Sequence, residues 1–157
     1  MSFHLDVQNI SSSKYLYRRD VLARIMRQVC AEEGAKGPLE LSVLFCDDPF
    51  IRDLNRRYRK RDEPTDVLSF AQAHRPPGAP AVLGDIVISL ETVARRCRSD
   101  RQAMRQEVRL LFCHGLLHLL GYTHNAAEER ETMQLKQVRH LGITKEAAWR
   151  TRPRGRP

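Results

Sequence analysis

Three histidines set the chemistry open to this chain. The stretch His114-Gly-Leu-Leu-His118-Leu-Leu-Gly121-Tyr-Thr-His124 places two imidazoles four residues apart, on one face of a helix and one turn apart. Gly121 follows, and glycine adopts the left-handed conformation that ends a helix without the penalty a Cβ carries. The chain can then turn back and carry His124 toward the first two rings. Three neutral imidazoles converging on one point make a zinc site with its fourth position open to water, which is the catalytic arrangement rather than the structural one.

The same spacing occurs in zinc peptidases with the pattern H-E-x-x-H-x-x-G-x-x-H. One residue breaks the match: Gly115 stands where those enzymes carry the glutamate that acts as general base. A hydrolytic ligand set without the peptidase base leaves proteolysis as a minor alternative.

The elements that must carry these rings follow from the hydrophobic pattern. Asp100 to about residue 120 reads as a long helix, with Ser99 and Gln102 as its capping box and Met104, Val108, Leu111 and Leu119 as core contacts. Upstream, Phe3, Leu5 and Val7 alternate with polar residues as in a half-buried strand. Ser12 and Ser13 are placed to cap a helix over about residues 14–33, ended by Gly34. Leu39, Leu41, Val43 and Phe45 alternate again. Asp48 and Pro49 signal the start of a short helix with Phe50, Ile51, Leu54 and Tyr58 on its buried face.

Pro64 argues against helix, and Val67 to Phe70 read as a short strand. Residues 73–80 form a proline-rich loop in which His74 is a solvated residue rather than a ligand. Ala81 to Ile88 reads as a strand buried on both faces, and a charge inside such a strand is costly unless paired or functional. Asp85 is therefore a candidate site residue, with a structural salt bridge as the other reading. Ser89 caps a helix to about Cys97. A last amphipathic helix runs from Ala126 to Leu141 through Met133, Leu135 and Val138, with His140 on its surface. The expected fold is a single α+β domain over residues 1–149, a mixed sheet of about four strands packed against about five helices. A basic, disordered tail follows over 150–157.

Composition narrows the partners. A net charge of +8 points to a polyanion, and the charge is clustered at Arg52, Arg56, Arg57, Arg59, Lys60 and Arg61 and again in the tail. No apolar run is long enough for a membrane span, and no secretory signal is visible at the start, so a cytoplasmic protein is expected. The four cysteines are scattered without a Cys-x-x-Cys pair, which suits reduced thiols better than a second zinc site.

Two blocks, His114–His124 and Leu-Asn-Arg-Arg-Tyr-Arg-Lys-Arg-Asp-Glu-Pro-Thr-Asp-Val-Leu-Ser-Phe over 54–70, together resemble the YbeY family of bacterial endoribonucleases, with Gly84-Asp85-Ile86 as a weaker third match. The resemblance spans about residues 3–141. It implies a single-strand-specific, metal-dependent endoribonuclease that matures ribosomal RNA at the 3′ end of the small-subunit RNA. It also implies a part in ribosome quality control and association with the small ribosomal subunit. By position, His114, His118 and His124 match the family's zinc ligands, one Zn2+ per chain, and Arg59 matches an arginine important for activity. Thr123 departs from the family's usual Asp before the third histidine, a residue placed to orient an imidazole or carry a proton.

On this reading a zinc ion with an open position activates water and polarises a phosphoryl oxygen. Arg59 stays protonated and braces the scissile phosphate rather than acting as a base, and Asp85 is the weaker candidate for proton transfer. The rival from a different class is an RNA-binding ribosome assembly factor whose zinc is structural and whose nuclease activity is slight.

Overall fold

The computed structural model describes residues 2–72 and 81–148. The loop with His74 and the basic tail fall outside the described residues. The elements run β1 (Phe3–Asn9), α1 (Arg19–Glu32), β2 (Leu39–Cys46), α2 (Asp48–Arg59), β3 (Val67–Ala71), β4 (Ala81–Ser89), α3 (Leu90–Arg96), α4 (Arg101–Leu119) and α5 (Ala127–Leu141). The strands form one mixed sheet in the order β1-β2-β4-β3, with β1, β2 and β4 parallel and β3 antiparallel along β4 at the edge. The α+β expectation of four strands and five helices holds.

Strand alternation divides the sheet into two unequal faces. Leu5, Leu41, Val43, Phe45, Ile86 and Ile88 point to the face covered by α1, α3 and α4, with α5 packed on α1 and α4, and join the main core. Leu44, Cys46, Leu68 and Val87 point the other way, into a small core under Ile51 and Leu54 of α2. Each fully buried Leu, Ile or Phe contributes roughly 1.5–3 kcal/mol, so the α4 side dominates stability. Cys30, Cys46 and Cys113 are buried free thiols, and burial pushes all three up, Cys30 to about 11 and the other two to about 12, as expected for reduced core residues. Among the described residues no helix is long and apolar enough to cross a membrane.

Several boundaries differ from the sequence reading for identifiable reasons. Helix α1 starts at Arg19, not residue 14, because Tyr15 sits at φ 65°. The carbonyls of Lys14 and Tyr15 are taken by Arg101 and Arg105 of α4. Ser12 does not cap it; its N–H donates to Asp47 Oδ2. Asp47, not Asp48, is the residue before α2, and Asp48 instead accepts from Ser89 Oγ, Thr92 Oγ1 and Arg95, tying α2 to α3. Asp100 rather than Ser99 caps α4, accepting from the Ala103 N–H. Ser89 caps α3 as anticipated.

The amphipathic faces of two helices also need correcting. Phe50 and Tyr58 are exposed, and the buried residues of α2 are Ile51 and Asn55. Leu135 is exposed, and the inward stripe of α5 is Met133, Gln137 and His140, two of them polar.

Candidate metal centre

Helix α4 reaches the site by lying unusually close to the sheet. A Cβ built on Gly115 would meet Ser69 Oγ at 2.9 Å and Ile86 Cγ2 at 3.0 Å, so this glycine is the point where helix backbone rests on β3 and β4. Position 115 therefore lacks a carboxylate for a packing reason. Next to this contact on the same helix, His114 is 2% exposed and His118 half-buried.

The end of α4 is a complete Schellman motif. Gly121 takes φ 105°, its N–H reaches the His118 carbonyl at 3.0 Å, and the Tyr122 N–H reaches the Leu117 carbonyl at 3.0 Å. This turn sends the chain back and brings His124 to the other two rings. Ring centroids lie 4.4 Å apart for His114–His118, 4.8 Å for His118–His124 and 5.3 Å for His114–His124. One nitrogen from each ring lies within 4.8 Å of the others. The edge of a tetrahedron with 2.0–2.1 Å zinc–nitrogen bonds is about 3.3 Å, so small ring rotations close the set around one ion.

Two ring tautomers are fixed by their neighbours. His118 Nδ1 lies 2.8 Å from the Tyr122 carbonyl, which only accepts, so the proton is on Nδ1 and the lone pair on Nε2. His114 Nδ1 lies 2.7 Å from Gln137 Oε1. The amide of Gln137 is oriented by its other end, where Nε2 donates to the Ala148 carbonyl at 2.7 Å, so Oε1 must face the ring and accept from it. Both imidazoles are thus held as metal ligands usually are, with Nδ1–H given to an outer partner. Gln137 is fully buried on α5 and was missed by the sequence reading. Its only sequence signal is a polar residue one turn after Met133 on the inward stripe.

The turn itself is anchored from behind. Tyr122 donates its hydroxyl to Glu33 Oε2 at 2.6 Å, and Glu33 also receives Lys136 Nζ and His140 Nε2, each at 3.1 Å. Burial works to raise the Glu33 carboxyl, but hydrogen bonds from Tyr122, His140 and Lys136 outweigh it and hold the group below the usual range. His140, expected at the surface, is buried against this carboxylate. Its Nδ1 lies 3.3 Å from Glu32 Oε2 without hydrogen-bond geometry.

Arg59 approaches from the other face of the sheet. It ends α2, where Lys60 takes a left-handed conformation, and its Nη2 donates to the Ser69 carbonyl on edge strand β3 at 2.9 Å. Its guanidinium lies 5.7 Å from the Phe70 ring centroid. Ser69 in turn donates its hydroxyl to the Gly115 carbonyl at 3.2 Å, so one strand residue links Arg59 to the helix turn that carries His114.

The surrounding basic cluster is partly neutralised, Arg52 by Asp62 and both Arg56 and Arg57 by Asp53. Asp85 is not brought to the rings. It is exposed on the α2 face, lining an open groove of about 470 Å³ with Asp6, Phe50, Tyr58 and Phe70, while α4 lies against the opposite face. The sequence placed it inside a strand buried on both faces; burial on both faces begins only at Ile86. Thr123 is exposed beside His124.

A family model described as Endoribonuclease YbeY matches residues 6–145. A relative of that name from Pelotomaculum thermopropionicum is 42% identical over 126 residues, covering 78% of this chain and 83% of the relative. Another, from Geobacillus kaustophilus, is 35% identical over 156 residues, covering 92% of this chain and all of the relative. A Thermotoga maritima protein solved in solution shares the fold with a TM-score of 0.60 at 23% identity, over 92% of this chain and 89% of that one.

Proposed function

The chain belongs to the endoribonuclease YbeY family, and from that premise we propose that it is a zinc-dependent endoribonuclease that cuts single-stranded RNA. The cytoplasmic process it serves is maturation of ribosomal RNA at the 3′ end of the small-subunit RNA, together with ribosome quality control on the small subunit. The observation that carries the reading is the convergence of His114, His118 and His124, with Nδ1 of two of the rings committed to an outer acceptor so that the lone pair lies on Nε2.

A Zn2+ ion held there supplies Lewis-acid activation of water and of a phosphoryl oxygen. His114, His118 and His124 would hold it, and Gln137 and the Tyr122 carbonyl keep the first two rings aimed. Arg59, permanently cationic and tethered to β3, grips the RNA phosphate and offsets the negative charge that builds as the bond breaks. Asp85, on the same sheet face as Arg59 and paired across β3 and β4 with Phe70, is the weaker candidate for proton transfer. Gly115 carries no base because the sheet contact needs its bare backbone.

The test is cleavage of a defined RNA presented single-stranded and as a duplex, by wild type and by His114→Ala with its fold checked by circular dichroism. Cutting of the single strand alone, lost in the variant, is expected. Tight RNA binding without turnover by wild type would instead favour the assembly-factor reading.

A further inference from the structure

Glu33 touches none of the three rings, yet its carboxylate fastens the turn that completes the site. It follows the C-terminal end of α1, and its side chain is 8% exposed. A carboxylate so placed is costly unless its oxygens are satisfied. Here three donors satisfy it: the Tyr122 hydroxyl, the Lys136 ammonium and His140 Nε2. The Lys136 ammonium also lies 5.7 Å from the centroid of the Tyr122 ring. Tyr122 is thereby held at three points. Its hydroxyl is on Glu33, its N–H is on the Leu117 carbonyl, and its own carbonyl receives His118 Nδ1. His124 lies two residues further along.

The partners are not scattered. Lys136 and His140 flank Gln137 on α5, so the same helix that reaches His114 through Gln137 also closes on Glu33. We propose that Glu33 is a positioning residue for the metal centre: by fixing Tyr122 it sets the carbonyl that aims His118 and the path that delivers His124. This inference rests on the metal-dependent reading above. The competing role is a plain structural tie between α1 and α5, which would lower thermal stability without changing how the folded protein binds an ion.

The two are separated by titrating metal-stripped protein with Zn2+ against a chromogenic chelator, alongside thermal unfolding of the stripped protein. Loss of an outer partner to a ligand weakens metal binding about 10- to 100-fold, and an effect one bond further out belongs at the lower end. Tyr122→Phe and Glu33→Ala are each expected to bind Zn2+ about 10-fold more weakly. The double variant should lose little more than either single, because both break one connection. Glu33→Gln, whose amide oxygen still accepts from Tyr122, should recover most of the affinity. Affinities of Tyr122→Phe and Glu33→Ala equal to wild type would overturn the positioning role while leaving the metal site intact. Absence of Zn2+ binding by wild type would overturn the metal reading and this inference with it. Should Glu33→Ala fail to fold, Tyr122→Phe, which keeps the ring and the backbone, decides.

Discussion

The imidazole triad and the Arg59 guanidinium are held in opposite ways. Each of His114 and His118 sits on a rigid helix pressed against the sheet, and their outer nitrogens are committed to a buried amide and a turn carbonyl. Arg59 is exposed at a helix end, kept in place by one hydrogen bond to an edge strand and by the face of Phe70. A metal site needs fixed geometry, because ligand misplacement of a fraction of an ångström forfeits affinity. In the proposed role for Arg59, a cation following a phosphate from substrate to transition state gains from a longer, looser tether. The two halves should therefore fail differently when mutated.

Breaking the rigid half has the largest expected effect. His118→Ala removes a ring whose partner carbonyl also belongs to the turn, and both Zn2+ content and RNA cleavage should fall to background while circular dichroism stays native. Retained Zn2+ at one ion per chain would break the comparison.

Arg59→Ala should lower cleavage by about 100-fold, the scale of losing one charge-stabilising donor, and leave Zn2+ affinity and unfolding temperature near wild type. Arg59→Lys should restore only part of the rate, because an ammonium lacks the planar fork. A fall in Zn2+ affinity for Arg59→Ala would mean that the two halves are mechanically one.

Gln137→Leu sharpens the contrast at a smaller scale. It leaves His114 Nδ1 and the Ala148 carbonyl without their buried partner, at a cost of about 1–3 kcal/mol in stability, and should weaken Zn2+ binding about 10-fold or more. Both are readable by chelator competition and thermal melts. Gln137→Glu, which still accepts from His114, should bind the ion more tightly than Gln137→Leu.

The smallest effect is on the acid side of the stability curve. Glu33 and Asp48 have carboxyl groups held below their ordinary values. For each, burial works upward and is outweighed by hydrogen bonds: Tyr122, His140 and Lys136 on Glu33; Thr92, Ser89 and Arg95 on Asp48. A group depressed in the folded state adds stability that is fully present above its unfolded value near about 4 and fades as pH falls through the folded value. Glu33→Gln should therefore flatten the loss of unfolding temperature below about pH 4, and an unchanged acid limb would argue against the Glu33 hub.

Much of this site was legible in the chain because its information is local. The His-x3-His spacing, the glycine that ends the helix and the third histidine fall within eleven residues, and helix geometry with one Schellman turn converts that spacing into a cluster. The outer partners were not legible. Gln137 meets His114 across 23 residues and Glu33 meets Tyr122 across 89, and no periodicity encodes which buried polar groups will face each other.

Asp85 shows the converse failure. Its apolar neighbours suggested a strand buried on both sides, but a residue in a strand points to only one face, and here that face is the open one. Arg59 was singled out by resemblance alone, since a helix-end arginine ordinarily reads as a solvated charge. Its link to the helix bearing His114 runs through Ser69, which only the sheet register reveals.

Diffraction from zinc-loaded crystals at the zinc absorption edge would locate the ion itself. One anomalous peak per chain is predicted, at about 2.0–2.1 Å from Nε2 of His114, His118 and His124, with Nδ1 of His114 still on Gln137. A peak at another site, or coordination through Nδ1, would contradict the three-histidine zinc site.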